Sequence, residues 1–171
     1  MNLNDIQIKI DKPYPEIVDA KEDRQTVAVL KNLASSRQSE LTAVLQYIYQ
    51  SVIANRVDKD IADIFEEIGV VEMMHLDMLM HAIVDFGGIP QYEDAMGNFF
   101  NANSVSYALK LKDMLDVNIR DEQDTILAYE AGIKKVKNQS LIDLFKRIIE
   151  DEQRHLEIFK YLRDNVRFLS V

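Results

Sequence analysis

Two histidines of this chain stand three residues after a glutamate, in Glu72-Met73-Met74-His75 and in Glu152-Gln153-Arg154-His155. Each of these pairs follows a glutamate and a tyrosine spaced seven apart, Glu40 with Tyr47 and Glu122 with Tyr129. On a helix, residues i and i+3 share a face, so each Glu-x-x-His presents a carboxylate and an imidazole to one point. One Glu from each of two helices plus a Glu-x-x-His from each of two others is the donor set with which helical bundles hold two iron or two manganese ions. Glu oxygens can bridge two metals or chelate one, a neutral imidazole gives each metal one firm nitrogen ligand, and open positions admit oxygen or peroxide. The candidate metal residues are therefore Glu40, Glu72, His75, Glu122, Glu152 and His155, with Tyr47 and Tyr129 as candidate electron or proton donors on the same faces.

Plainer readings exist for each of these residues. A lone Glu-x-x-His is usually an accident of a solvated face, but here two of only three histidines carry one. The third, His81, has Met78 three residues before it and reads as an ordinary helix histidine. Tyrosines at helical spacing more often pack a core than carry electrons, and the methionines around position 75 read as core filler. The carboxylates are harder to dismiss. A buried, unpaired carboxylate costs several kcal/mol or takes up a proton, so four on apolar stripes call for compensating positive charge. Arg37, one turn before Glu40, offers one partner, whereas two divalent metals answer all four.

The elements that must position these groups are long helices, because five Gly and three Pro in 171 residues leave few breaks. Residues 1–18, with Ile6, Ile8 and Ile10 alternating before Pro13 and Pro15, read as an extended arm, and 19–171 as the bundle. A first helix is expected from a cap at Asp19 with Glu22 to about Asn55, and a second from Asp58 or Asp60 to Gly87-Gly88 and Pro90. A third is expected from about Ser104 to Lys137, and a fourth after Asn138 as C′ residue and Ser140 as N-cap. The irregular stretch Gly87 to Asn103 is long enough to cross the bundle: about 17 extended residues span roughly 55 Å, against roughly 42 Å for a helix of about 28 residues. The fold class expected is thus all-α: a four-helix bundle of two antiparallel hairpins joined by a long crossover.

Depth within such a bundle gives a second test. Glu40 lies 15 residues before Asn55 and Glu72 14 after Asp58, while Glu122 lies 16 before Asn138 and Glu152 12 after Ser140. These offsets agree within about one helical turn, so the four carboxylates belong to one layer. Glu130, two turns nearer the loop than Glu122, does not.

Composition excludes other classes. A net charge of -9 with no basic cluster argues against nucleic acid and for cations as partners. The chain has no cysteine, which rules out thiolate zinc, iron–sulfur and rubredoxin-type sites and leaves oxygen and nitrogen ligands for any redox metal. The most apolar stretch, Ile68 to Ile89, is interrupted by Glu72, His75, Asp77, His81 and Asp85, and MNLNDIQIKIDK lacks the pattern of a secretory signal, so no membrane association and a cytoplasmic location are expected.

The strings SELTAVLQY (39–47), VEMMH (71–75), GGIP, MLDVNIRDE (114–122) and EDEQRH (150–155) resemble, in kind and order, the ferritin-like superfamily, and within it bacterioferritin and the iron-binding domain of rubrerythrin. The resemblance covers roughly residues 30–160 and implies Glu40, Glu72, His75, Glu122, Glu152 and His155 as the ligands of two iron ions, with Tyr47 beside the ferroxidase centre. It also implies Met73 as a candidate haem ligand, since bacterioferritin binds haem between subunits through a Met directly after the second-helix Glu. Two departures bear on function. Only 16 residues follow His155, too few for the fifth helix that helps ferritins close a cage, so a homodimer or small homo-oligomer is expected. Rubrerythrin peroxidases carry an extra third-helix Glu one turn from the ligand, where Ile119 and Thr125 flank Glu122 here.

The expected function is a di-iron carboxylate oxidoreductase of ferroxidase or peroxide-reducing type, acting on oxygen or hydrogen peroxide in iron handling or oxidative-stress defence. Metal sequestration without turnover, with iron, manganese or zinc resident, is the alternative of binding class. An oxygenase acting on an organic substrate would need an apolar channel beside the metals, and a metal-free bundle would be stabilised by removing Glu72 and Glu152.

Overall fold

The computed structural model describes residues 6–165. Five α-helices run through them: α1 Arg24–Ser35, α2 Glu40–Ala54, α3 Lys59–Asp85, α4 Leu111–Ile133 and α5 Gln139–Asn165. α2 packs along α3 and α4 along α5, with α1 also against α3. The short turns after α2 and α4 make each packed pair an antiparallel hairpin, and residues 86–110 cross between the hairpins. The protein is an all-α four-helix bundle whose first arm is split in two.

That split departs from the single helix expected up to Asn55. The helix also begins at Arg24 rather than at Asp19: Asp23 caps it, accepting from the Gln25 amide, while Asp19 sits at φ 53°, a left-handed turn that Asp tolerates better than most residues. The break falls in the run Ser35-Ser36-Arg37-Gln38-Ser39, where serine hydroxyls take over backbone groups that a helix would use. Ser39 Oγ donates to the Ser36 carbonyl at 2.7 Å and Ser36 Oγ to the Gln38 carbonyl at 2.9 Å. Ser39 then caps α2, so Glu40 becomes its first residue.

α3 begins after its cap Asp58, which accepts from the amides of Asp60 and Ile61, and ends before Gly87-Gly88, close to the expected boundaries. α4 starts at Leu111, seven residues later than the expected Ser104. The intervening segment is held extended instead: the Ser106 amide donates to Gln46 Oε1 at 2.8 Å, Val105 is buried, and Tyr49 stacks edge-on against Tyr107. Asn138 is the cap of α5 rather than the C′ residue of α4, its Oδ1 accepting from the Leu141 amide at 2.9 Å. The crossover is fastened to α1 by Lys31 with Glu93 and by Asn32 with the Ala95 amide.

Two apolar clusters fill the bundle. One gathers Leu79 and Ile83 of α3 with Leu141, Phe145 and Ile148 of α5; the other gathers Ile61, Phe65 and Ile68 of α3 with Phe159 and Leu162 of α5. Residues 72–75 and 152–155 lie between these sets along both helices, so the polar layer is enclosed by hydrophobic packing above and below. The expected arm, of which residues 1–5 lie outside the described range, runs without helix over α5. Arg147 donates to the carbonyls of Ile10 and Lys12, and Lys12 pairs with Glu150 at 2.9 Å.

Candidate metal centre

All six candidate ligands reach one place. Glu40, Glu72, His75, Glu122, Glu152 and His155 are each at most 2% exposed, contributed by α2, α3, α4 and α5. They divide into two overlapping groups, Glu40, Glu72, His75 and Glu152, and Glu72, Glu122, Glu152 and His155, each offering donor atoms within 4.8 Å of one another. Glu72 and Glu152 belong to both groups. Each group thus has its own imidazole, its own carboxylate and the same two shared carboxylates, an arrangement suited to two cations bridged by Glu72 and Glu152.

Both imidazoles turn Nδ1 inward. His75 Nδ1 lies 3.0 Å from Glu72 Oε2 and 3.0 Å from Glu152 Oε1; His155 Nδ1 lies 3.0 Å from Glu72 Oε1 and 3.8 Å from Glu152 Oε2. Glu40 Oε2 and His155 Nε2 are buried without a hydrogen-bond partner, and Glu72 Oε1, Glu152 Oε1 and His155 Nδ1 have only the contacts just given, too poorly aligned to be hydrogen bonds. Unsatisfied groups of this kind are rare in a folded interior, and four of them, Glu40 Oε2, Glu72 Oε1, Glu152 Oε1 and His155 Nδ1, belong to the two clusters and fit divalent cations as partners.

The tyrosines pair across the bundle rather than with the Glu of their own helix. Tyr47 on α2 donates to Glu122 Oε1 on α4, and Tyr129 on α4 donates to Glu40 Oε1 on α2. Burial and the adjacent carboxylates, Glu122 for Tyr47 and Glu40 for Tyr129, push both phenols well above their usual range, so they are neutral donors. Burial, reinforced by the Glu152 carboxylate, raises Glu40 to about 8 and holds Glu122 well above the carboxylate range. Glu72 and Glu152 go the other way: burial would raise them, but the neighbouring imidazoles outweigh it and keep them ionised. Burial would lower the imidazoles in turn, and the surrounding carboxylates overcome it, raising His155 to about 9 and His75 well above its ordinary value. The metal-free centre therefore carries protons where cations would otherwise sit, and cation binding would release them.

A cavity of about 570 Å³ opens between α2 and α4 onto Glu40, Glu72, Glu122 and Glu152. Its walls include Gln38, Ser39, Thr42, Gln46, Asp121 and Thr125, with exposed Arg37 and Arg120 also lining it. Among the described residues Arg37 makes no ion pair with Glu40, so the pairing considered from sequence is not what balances that carboxylate.

Met73 is 52% exposed on the outer face of α3, apart from the buried carboxylates and close to exposed Ile48, Val52 and Val70. His81 is exposed and near only Asp77, as an ordinary helix histidine should be. Residues not singled out from sequence also matter. Asp151 is fully buried beside His75, and Gln46, Gln50 and Asn118 form a buried amide network next to Tyr47. Gln46 and Gln50 stand four apart on the buried face of α2, a pattern that signals a polar network.

The bundle and its paired Glu-x-x-His helices define the ferritin-like di-metal carboxylate class. Within it the chain belongs to the rubrerythrin family, whose profile matches residues 31–163. It is 29% identical to a bacterioferritin of Desulfovibrio desulfuricans over 88% of this chain and 82% of that one. It is 22% identical to a probable manganese catalase of Clostridium acetobutylicum over 96% of this chain and 78% of that one. Its fold superposes on KatB, a manganese catalase from Anabaena, with a TM-score of 0.82 at 21% identity, covering 95% of this chain and 84% of the other. Among the described residues no helix is long and apolar enough to cross a membrane.

Proposed function

We propose that this chain is a di-metal carboxylate oxidoreductase that reduces hydrogen peroxide or oxygen at the Glu40, Glu72, His75, Glu122, Glu152 and His155 cluster, with Fe(II) as the reductant it oxidises. The observation that carries this reading is the double sharing of Glu72 and Glu152 between two donor groups, each with its own Glu and His. Two iron ions held by these residues would supply two one-electron oxidations, matching the two electrons that, with two protons, turn one hydrogen peroxide into two waters.

The chain's own groups do the rest. Glu72 and Glu152 are ionised and shared, so they would hold cations before any reactant arrives, while the neutral hydroxyls of Tyr129 and Tyr47 donate to Glu40 and Glu122. Cation binding would expel the carboxyl protons of Glu40 and Glu122, which leaves these two phenol hydroxyls as proton donors beside the centre. The cavity that reaches the carboxylates is lined by amides, hydroxyls and charges, which suits a hydrated cation or peroxide rather than an apolar organic substrate, and so counts against the oxygenase reading. A cytoplasmic role in iron handling or peroxide defence accords with this chemistry.

The exposed apolar strip of Ile48, Val52, Val70 and Met73 is where we place the contact of a homodimer, and Met73 would be the residue to hold haem there. Light scattering and an absorption spectrum of the protein with added haem check both points, and Met73→Leu should abolish any axial-methionine signature.

The test is stopped-flow absorbance after anaerobic Fe(II) loading. Rapid ferric absorbance on mixing with peroxide or oxygen, lost in Glu72→Ala, supports turnover. Stoichiometric metal without oxidation faster than free Fe(II) would leave sequestration as the function.

A further inference from the structure

We propose that Asp151 and Tyr14 are positioning residues for His75, and that the absence of an equivalent pair behind His155 makes the two metal positions unequal, the His75 position being the tighter. This rests on the metal-centre reading above and adds to it a division of labour between the two halves of the repeat.

The repeat is symmetric in its candidate ligands and breaks one residue before each shared carboxylate. Asp151 precedes Glu152, but Val71 precedes Glu72. Asp151 is fully buried, and its Oδ2 lies 3.3 Å from His75 Nε2, on the ring edge opposite the nitrogen that faces the carboxylates. An ionised Asp accepts only, so Nε2 keeps its proton toward Asp151 when a cation replaces the proton on Nδ1, whose lone pair is then directed inward. A carboxylate placed behind a metal-binding imidazole in this way fixes tautomer and ring orientation and raises its basicity.

Asp151 is itself held from three sides. Its Oδ1 accepts from the Ile10 amide at 2.7 Å and lies 2.8 Å from the Arg147 guanidinium, and its Oδ2 accepts from the Tyr14 hydroxyl at 2.6 Å. The Tyr14 hydroxyl also stands 3.4 Å from His75 Nε2, and its ring lies under Arg147 at 4.5 Å and edge-on to His75 at 6.0 Å. Among the described residues the N-terminal arm thus supplies part of the support for one imidazole and none for the other, whose outward Nε2 is buried with no hydrogen-bond partner. His75 is preorganised, and His155 must be oriented by the cation it binds.

Titration of the metal-free full-length chain with Co(II), followed calorimetrically and by visible absorption, tests this. Wild type should bind two Co(II) in two resolved steps. Asp151→Asn should weaken the tighter step about 10–100-fold and leave the weaker one within about twofold. Tyr14→Phe, which keeps the ring packing, should shift the same step in the same direction by less. Val71→Asp should tighten the weaker step and draw the two together. A merely structural role for Asp151 would lower both steps alike, which would overturn the proposal, as would two equal steps in wild type or an unchanged tighter step in both Asp151→Asn and Tyr14→Phe. Failure of wild type to bind Co(II) at all would overturn the metal-centre reading as well.

Discussion

The hydroxyl of Tyr129 donates to Oε1 of Glu40, a residue 89 positions earlier on the facing hairpin, while the other oxygen of that carboxylate is buried without a partner. One oxygen is thus held by the protein and the other is left for a cation. Tyr129→Phe removes the donor and leaves a second buried oxygen unsatisfied, at a cost of about 1–3 kcal/mol in the metal-free protein. Urea unfolding checks this, and Tyr47→Phe should behave alike through Glu122. No loss in either variant would mean that the hydrogen bonds do not hold the carboxylates.

Stability of the metal-free protein should fall as pH rises from about 4.5 to 9, most steeply between about 6.5 and 8 where two groups titrate together. Glu40, raised from 4.5 to about 8, contributes fully below 4.5 and loses that contribution as pH rises from there through about 8. His155, raised from 6.5 to about 9, contributes fully below 6.5 and loses that contribution on the same rise, so the two effects add. Glu72 and Glu152, both lowered, give the opposite limb: their contribution is lost as pH falls below 4.5. Thermal unfolding between pH 4 and 9 would show the maximum, and cation affinity should rise with pH as binding expels the protons. A flat profile from 6.5 to 9 would contradict the protonated centre.

Arg147 joins the arm to the bundle, pairing with Asp151 and donating to two arm carbonyls. Arg147→Ala leaves Asp151 without its nearest cation and should cost about 3–5 kcal/mol, the range for breaking a buried pair. Cleavage of the arm by protease in limited digestion should accelerate together with the loss of stability, and an arm as resistant as in wild type would argue that Arg147 does not fasten it.

Ser39→Ala should cost about 0.5–2 kcal/mol by removing the cap of α2. Because Glu40 is the next residue, the same substitution should weaken cation binding several-fold, which calorimetry would detect. A stability loss with unchanged affinity would show that Glu40 does not depend on the break before it.

That the six candidate side chains share one layer was legible because chemistry and helical period coincide. Glu-x-x-His twice, a Glu on each of the other helices and matched distances from the turns place six side chains at one depth of the bundle. The break at Ser36–Ser39 was harder to see, since Leu30, Leu33, Leu41 and Val44 keep helical spacing across it and only the serine side-chain bonds reveal the stop. Asp151 was hidden for a different reason. It stands in the acidic run Glu150-Asp151-Glu152, which reads as a solvated face, and its partners Tyr14 and Ile10 arrive from an arm with no periodic pattern to place it. The late start of α4 likewise depends on Gln46, 60 residues away from the Ser106 amide it holds.

Metal content of the purified protein, measured by inductively coupled plasma mass spectrometry beside a Glu72→Ala/Glu152→Ala variant, tests the di-metal centre most directly. About two iron or manganese ions per chain are predicted in the wild type, with loss of both when the shared carboxylates are removed. Absence of stoichiometric metal in the wild type, even after anaerobic loading with Fe(II), would contradict it.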